Sequence, residues 1–265
     1  MTLVRRIEPS FREKIWGATR LEPWFPNSQT KIGEVWFEAP DLPLVKFLFT
    51  TDKLSVQAHP DDHYARLHHG SRGKTEMWHI LAAEPGAQIA AGFRHTLTPQ
   101  QARAAALSGE IEGLLQWFDA RPGDTFFIPA GTVHAIGAGL ALCEIQQNSD
   151  VTYRLYDYGR PRELHLDQAL AVSRLGPHGA RQQAVENKLV SCKHFAAECL
   201  TVDRPADFQP FADRAQLLIA IEGDGEIEGQ PVHAGEVWHV LPTPDRLNVS
   251  GNLRLLRVFT PGEEP

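Results

Sequence analysis

The sequence has 265 residues, of which 42% are hydrophobic and 22% charged, values typical of a globular protein with a sizeable core. Its 26 basic and 33 acidic residues give a net charge of −7, which disfavours nucleic-acid binding because that needs clustered positive charge. The cysteines, Cys143, Cys192 and Cys199, are odd in number and widely spaced, which favours neither a disulfide framework nor a cysteine zinc site. No apolar run predicts a membrane span. Since the first residues lack the apolar core of a secretory signal, we expect a cytoplasmic protein.

Short strands dominate the first part of the chain. Residues 33–39, 43–50, 54–59, 76–83 and 87–93 are rich in β-branched and aromatic residues, and turn-forming residues separate them. This regular spacing favours an all-β sandwich or barrel.

One segment, residues 96–118, has a helical pattern instead. Thr98 is a suitable N-cap, Pro99 suits the first helical position and Gln101 completes a capping box. A turn signal at Gly109 predicts that the segment divides into two short helices. We expect a small helical insertion that covers one end of the barrel.

Strands resume over residues 124–158, and residues 165–175 form a short amphipathic helix candidate. The later sequence repeats, in outline, the order of apolar strands and Gly-rich turns seen earlier. This organisation predicts a catalytic domain over residues 1–164, a connecting helix and linker over 165–188, and a second barrel over 189–265. The predicted fold class is therefore all-β, with two jelly-roll barrels in tandem.

Four polar residues form a candidate metal site. Gln57 and His59 are two positions apart on a strand and therefore point to the same face. Glu76 begins another strand, and His134 follows a turn. Two imidazoles, a carboxylate and an amide oxygen suit a divalent first-row metal, most commonly zinc, with room for water or substrate.

A polar run follows His134 in the sequence. Glu144, Gln146 and Asn148 alternate with other residues at a period of two, and Asp150 and Arg154 come next. The run is consistent either with the wall of a site or with a solvated outer face.

Three cations lie close in sequence to the proposed ligands. Lys74, Arg154 and Arg160 can each bind a phosphate or an enediolate, the arginines through a planar fork. Each of them taken alone is more often a surface charge.

Several segments resemble the hallmark motifs of type I mannose-6-phosphate isomerases, in the short bacterial form. They are IGEVWFEA at 32–39, LSVQAHPDDHYA at 54–65, GKTEMWHIL at 73–81 and GDTFFIPAGTVHAIGAGLALCEIQQNSDVTYRLYDYGR at 123–160. The N-terminal FREKIWGATRLEPWF is also similar. The resemblance covers residues 11–160 and implies a cupin fold, one zinc ion and interconversion of mannose 6-phosphate with fructose 6-phosphate.

The resemblance also implies residue roles. The zinc ligands fall on Gln57, His59, Glu76 and His134, the catalytic arginine on Arg154, and substrate-pocket positions on Ser55 and Lys74. Arg160 stands where some members carry a lysine, which favours a phosphate contact. His79 replaces a common tyrosine and is expected beside the site without being a ligand.

Several groups could serve as the proton-transferring base. Glu144 and Asp150 are candidates, and a metal-bound water or a histidine are alternatives. Other functions also stay open: a cupin that holds iron(II) or acts on another sugar phosphate, and a non-catalytic sugar-binding module.

No ligand set can be assembled in the second barrel, although His233, Glu236 and His239 lie close together. We expect that barrel to be structural, the substrate to be a small sugar phosphate, and the protein to be a monomer or a small homo-oligomer.

Overall fold

The computed structural model describes residues 3–39 and 41–262. In the first part of the chain the elements are β1 (Val4–Ile7), β2 (Ser10–Ala18), β3 (Ile32–Phe37), β4 (Leu44–Thr50), β5 (Val56–Ala58), α1 (Asp62–His69), β6 (Glu76–Ala83), β7 (Gln88–Phe93), α2 (Pro99–Ser108), α3 (Ile111–Leu114), β8 (Leu115–Asp119), β9 (Thr125–Ile128), β10 (His134–Ile136), β11 (Leu140–Gln146) and β12 (Tyr153–Tyr156). The later elements are α4 (Leu166–Val172), β13 (Arg181–Gln182), β14 (Lys188–Ser191), β15 (Ala196–Val202), β16 (Ala206–Phe208), β17 (Gln216–Ile227), β18 (Gln230–His233), β19 (Val237–Val240) and β20 (Leu247–Phe259).

Two antiparallel sheets form the first barrel. A seven-stranded sheet in the order β13-β9-β6-β11-β4-β3-β2 faces a five-stranded sheet in the order β12-β5-β10-β7-β8. Trp78, Ile80, Ile89, Phe126 and Leu142 belong to the apolar cluster of its interior. The prediction of an all-β fold is confirmed.

A third, eight-stranded sheet forms the second barrel. Its main path runs β1-β19-β17-β20-β15-β14, and it has its own core, which includes Leu218, Trp238 and Leu255. Its outer face packs on the seven-stranded sheet, where Phe47 and Leu217 share one apolar cluster. Every residue of β4 and β11 is buried because these strands are covered on both faces.

Helices cover the outer face of the five-stranded sheet. Ala102 and Ala105 of α2 and Ala169 of α4 belong to the same apolar cluster as Phe93 of β7. The predicted capping box begins α2, and Gly109 ends it in a left-handed conformation with φ of 84°. Among the described residues no helix is both long and apolar enough to cross a bilayer.

The helical insertion is shorter than predicted. Leu115–Asp119 is strand β8, which pairs with β7 through contacts such as Ile89 with Phe118 and Ala90 with Trp117. Aromatic side chains here find strand partners that are distant in sequence, so tertiary pairing overrides the local helical pattern.

Two strand pairings cross the predicted domain limits. The other limits remain a prediction. Val4–Ile7 pairs with β19 of the second barrel, although it lies within the predicted catalytic domain. Arg181–Gln182 of the predicted linker pairs with β9 and extends the first barrel. The first strand of the chain therefore belongs to the second barrel, and the predicted linker supplies an edge strand of the first.

Candidate metal and substrate site

Three neighbouring strands place polar side chains in one row inside the first barrel. Gln57 of β5 lies directly opposite His134 of β10 on one side and Arg154 of β12 on the other. Residues opposite each other on adjacent strands point to the same face of the sheet. His59 follows the end of β5, and Glu76 begins β6 in the opposite sheet. Both sheets therefore contribute to one cluster.

The cluster has the spacing of a metal site. His134 Nε2 lies 3.3 Å from Glu76 Oε1, and His59 Nε2 lies 3.6 Å from Glu76 Oε2. The amide nitrogen of Gln57 donates to His134 Nε2 at 3.2 Å. Ligand atoms at about 2.0–2.1 Å from a tetrahedral zinc ion are separated by about 3.3 Å. One ligand atom from each of His59, Glu76 and His134 lies within 4.8 Å of the others.

Backbone carbonyls fix both imidazole tautomers. His59 Nδ1 lies 2.9 Å from the carbonyl oxygen of Val151, and His134 Nδ1 lies 2.9 Å from that of Thr132. Since a carbonyl only accepts, each Nδ1 carries the proton and each Nε2 presents a lone pair to the cluster. This is the form in which histidine binds a metal.

Buried ligand atoms of the cluster lack a hydrogen-bond partner among the described residues. Within the described part of the chain, no group donates a hydrogen bond to His59 Nε2 or Glu76 Oε1. Both residues are at most 1% exposed, and leaving such polar groups unsatisfied is costly. A divalent cation would satisfy both atoms, so the residues present fit a metal ion.

The electrostatics of the cluster agree with metal binding. Burial lowers the pKa of His134 to about 4 and holds that of His59 well below its usual value, so both imidazoles are neutral at pH 7. Burial raises the pKa of Glu76 to about 7, although the ammonium of Lys74 opposes this. A bound dication would favour the carboxylate form.

The turn before β10 depends on Gly131. Its φ is 86°, and a Cβ there would lie 2.8 Å from the carbonyl oxygen of Val172. Its amide donates to the carbonyl of His59 at 2.8 Å. The turn thereby links the segment carrying His59 to the strand carrying His134.

Two buried lysines and a second glutamate lie next to the cluster. Lys74 Nζ is 3.1 Å from Glu76 Oε2 and 3.9 Å from Glu144 Oε1, while Lys46 Nζ is 3.3 Å from Glu144 Oε1. Burial would lower the pKa of Lys74, but the carboxylates of Glu76 and Glu144 outweigh it and raise this pKa. Lys74 is therefore a charged hydrogen-bond donor at neutral pH.

A cleft of about 540 Å³ opens onto this cluster. Its lining includes five of the predicted site residues: Ser55, Gln57, Lys74, Asp150 and Arg154. Glu144 is not among the lining residues, and its oxygens accept hydrogen bonds from Trp78 Nε1 and Lys46. Gln146 is buried and Asn148 is exposed. Arg160 is also absent from the lining and instead contacts Asp157.

Comparison with known proteins identifies the family. Mannose-6-phosphate isomerase ManA of Bacillus subtilis (strain 168) is 32% identical over 282 residues, which cover 85% of this chain and 88% of the relative. The chain belongs to the mannose-6-phosphate isomerase family. No protein-family model matches the sequence.

Solved structures of this family have the same fold. The crystal structure of the mannose 6-phosphate isomerase from Bacillus subtilis matches with a TM-score of 0.85 at 26% identity, over 96% of this chain and 98% of that one. A zinc-bound mannose 6-phosphate isomerase matches with a TM-score of 0.78 at 15% identity, over 98% of this chain and all of the other. These matches confirm the predicted cupin fold.

One wall of the cleft was not predicted from the sequence. That wall consists of residues from the first strands of the seven-stranded sheet: Arg12, Lys14, Glu34, Trp36 and Lys46. The available signal was spacing: Arg12 and Lys14 on β2, and Glu34 and Trp36 on β3, are each two positions apart and so share a face. Lys14 pairs with Glu34 at 3.1 Å, and the ammonium of Lys46 lies 4.2 Å from the ring centre of Trp36.

His79 lies apart from the metal cluster. Its Nδ1 is 2.9 Å from Thr125 Oγ1, and it lines a separate cavity of about 530 Å³ that also includes Arg254. Burial, assisted by the charge of Arg254, lowers the pKa of His79 to about 4. His79 is therefore neutral in the folded protein at pH 7.

We expect His79 to make the protein sensitive to acid. Its pKa of about 4 in the folded protein rises to about 6.5 on unfolding. The unfolded state binds more protons below about pH 6.5, so stability falls as the pH is lowered and the loss levels off near the folded pKa. Between pH 7 and 5 the free energy of unfolding should fall by about 2 kcal/mol from this residue alone.

Urea unfolding at both pH values measures this effect. Between pH 7 and 5 the free energy of unfolding should fall by about 2 kcal/mol less in His79→Gln than in the wild type. His233→Gln, at an exposed histidine of the second barrel, serves as the control and should behave like the wild type. Equal losses in His79→Gln and the wild type would contradict the prediction.

Proposed function

We propose that the chain interconverts mannose 6-phosphate and fructose 6-phosphate, using one zinc ion held by Gln57, His59, Glu76 and His134. One observation carries this proposal: buried metal-ligand atoms from both sheets converge at a cleft rich in cationic side chains. Such a cleft suits a phosphorylated sugar. The activity of the relatives supplies the identity of the sugar.

The donor set supports zinc as the ion. It contains nitrogen and oxygen atoms only, and three or four protein ligands leave a position for substrate. Gln57 can offer its amide oxygen because the hydroxyl of Ser55, 3.1 Å from Gln57 Oε1, can either donate to or accept from that amide. When bound, zinc would polarise the substrate oxygen as a Lewis acid.

Lys74 and Arg154 would stabilise negative charge during the reaction. The ammonium of Lys74 is held by Glu76 and Glu144 at the inner part of the cleft. Arg154 is anchored through Nη1, which donates to the carbonyl of Glu163 at 3.2 Å, while its Nε is buried without a partner among the described residues. A preorganised cation of this kind stabilises the charge that develops on the sugar oxygens as the C2 proton moves.

Asp150 is the better of the two candidate bases. It lines the cleft, whereas Glu144 lies behind it and is hydrogen-bonded by Trp78. Burial would raise the pKa of Glu144, but Lys74 and Lys46 outweigh it and lower that pKa. A carboxylate held in this way is a weak base, so we assign proton transfer to Asp150 and the orientation of Lys74 to Glu144.

A coupled assay tests the proposed function. Protein stripped with a chelator should not form fructose 6-phosphate from mannose 6-phosphate, and restoring one equivalent of zinc should restore turnover. Metal analysis of protein purified without added metal distinguishes zinc from iron(II). A folded protein that is inactive with every divalent metal would exclude mannose 6-phosphate as the substrate.

Arg154→Ala should lower kcat by about 100-fold, because it removes a cation whose contact strengthens as charge develops. Arg154→Lys keeps the charge but loses the planar fork, so its activity should lie between those of the alanine variant and the wild type. Steady-state kinetics on zinc-loaded protein measures both variants. A kcat within about threefold of the wild type in Arg154→Ala would disprove this role.

The state of the cysteines indicates the kind of cellular compartment. Cys143, Cys192 and Cys199 are all free thiols, as expected in a reducing environment. We therefore propose a cytoplasmic location, where phosphorylated sugars are also available.

A further inference from the structure

A polar residue interrupts the apolar interface between the two barrels. Alternate residues of β6 point to opposite faces of the seven-stranded sheet, so Met77, His79 and Leu81 share the face toward the second barrel. Met77 belongs to the apolar cluster that the barrels share, and Leu81 packs against it. His79 lies between them and is 2% exposed. An imidazole in this position is costly to bury unless its nitrogens have partners.

One nitrogen of His79 lacks such a partner. Nδ1 lies 2.9 Å from Thr125 Oγ1, whereas no group of the described residues forms a hydrogen bond with Nε2. His79 lines the cavity of about 530 Å³ between the barrels, which we call the inter-barrel cavity. Nε2 is therefore the atom that this side chain can offer to a ligand there. Cavities of this size at domain interfaces are common sites for small molecules.

Part of the wall of the inter-barrel cavity is apolar and held in place. Trp24, Leu81 and Ile221 belong to its lining. Trp24 bridges the barrels, since its Nε1 donates to the carbonyl oxygen of Ile221 at 2.8 Å. Gly235 permits the close approach, because a Cβ there would lie 2.3 Å from the carbonyl oxygen of Trp24. An indole fixed in this way presents a preformed apolar surface to a ligand.

The charged groups of the inter-barrel cavity compensate one another. Arg254 Nη1 lies 3.4 Å from Glu222 Oε2, and His233 Nδ1 lies 2.7 Å from Asp224 Oδ1. These four side chains are 43–79% exposed and form the rim toward solvent, while His79 lies at the buried end. An anion would meet both carboxylates, and a cation would meet Arg254. The cavity therefore favours a neutral ligand that both donates and accepts hydrogen bonds.

We propose that the inter-barrel cavity binds a neutral sugar. Each hydroxyl of a pyranose donates and accepts hydrogen bonds, which matches the imidazole, the carboxylates and the guanidinium of the cavity. The C–H groups of the ring match the apolar wall at Trp24. His79 and Glu76 point to opposite faces of the seven-stranded sheet, so this site is separate from the metal cluster and does not depend on the proposed function.

Methyl α-D-mannopyranoside is the probe of choice. It carries no phosphate, and its blocked anomeric carbon prevents the ring opening that isomerisation requires. An NMR titration that follows the indole N–H signals of zinc-loaded protein should show saturable binding with a Kd of about 1 mM. The signal that shifts should be the one that is missing in Trp24→Phe.

Two variants at opposite ends of the cavity test the contacts. His79→Leu removes the free imidazole nitrogen and should weaken binding about tenfold. Arg254→Gln should weaken binding severalfold, and it carries the test if His79→Leu does not fold. Arg246→Gln is the matched control, because it removes an arginine from an exposed pair with Asp207 in the second barrel. Arg154→Ala alters the catalytic cleft and should also leave this affinity unchanged.

Three results would overturn the proposal. The first is the absence of saturable binding of methyl α-D-mannopyranoside, methyl α-D-glucopyranoside and myo-inositol at concentrations about 100-fold above the expected Kd. The second is binding that weakens in Arg154→Ala but not in folded His79→Leu or Arg254→Gln, which would place the sugar in the catalytic cleft. The third is tighter binding of acetate or tetramethylammonium than of any of these neutral probes, with loss in His79→Leu.

Discussion

His134→Ala is expected to lose its bound metal and to lower isomerase turnover more than about 100-fold, since even residues that only support a metal ligand affect activity by 10–100-fold. His134 is 1% exposed, and its Nε2 lies within 3.3 Å of both Glu76 and Gln57. Alanine would leave two or three ligands and an enlarged space that water can enter. Metal content after dialysis and turnover in the coupled assay should therefore fall together.

A matched histidine distinguishes this effect from a general loss of stability. His233 is exposed in the second barrel, where its Nδ1 lies 2.7 Å from Asp224. His233→Ala should retain one metal ion per chain and turnover within about twofold of the wild type, as expected for a surface substitution. One tightly bound zinc ion in folded His134→Ala would place the metal at other ligands and refute the proposed site.

The metal cluster could be predicted because strand geometry is local. A period of two places Gln57 and His59 on one face whatever the rest of the fold does. The approach of Glu76 from the opposite sheet depends on how the barrel closes, which strand periodicity alone does not specify. Glu76 was proposed as a ligand from its residue type and its place at the start of a strand, and the resemblance to a known family implied the same role.

Other features depend on contacts between distant segments. Leu115–Asp119 was predicted as helix, and only its pairing with β7 makes it a strand. Arg160 and Arg162 are both arginines of one turn, and their different positions follow from how each meets Asp157. Neither result is encoded in composition or spacing.

Strand pairing in the second barrel also depends on segments that are distant in sequence. Its strands were visible in the sequence, but the partner of β19 includes Val4–Ile7, which is more than two hundred residues away along the chain. Local patterns predicted that strands exist here, and the pairing that closes the sheet could come only from the folded structure.

Glu144→Ala is expected to lower the free energy of unfolding by about 3–5 kcal/mol, the usual effect of removing one member of a buried ion pair. Lys46 is 2% exposed and 3.3 Å from Glu144, so the substitution leaves an ammonium in the barrel without its nearest carboxylate. Urea unfolding of chelator-treated protein at pH 7 measures the change without a contribution from bound metal.

An exposed pair provides the comparison. Arg103 and Asp167 form an ion pair on the helical side of the first barrel, with 43% and 85% of their side chains exposed. Asp167→Ala should cost less than about 1 kcal/mol, because water screens exposed charges. If Glu144→Ala costs no more than Asp167→Ala, the prediction for the buried pair is wrong.

A double variant tests whether the stability lost in Glu144→Ala arises from the unpaired ammonium of Lys46. Lys46→Met combined with Glu144→Ala removes both charges, and it should recover part of the stability lost in Glu144→Ala alone. Recovery should be incomplete because Glu144 also lies 3.9 Å from Lys74 and accepts a hydrogen bond from Trp78. Turnover should stay low in the double variant, since Glu144 is the group that holds the ammonium of Lys74 toward the cleft. Stability and activity would then separate, because removing Lys46 relieves the unpaired charge but does not restore the carboxylate that Lys74 contacts.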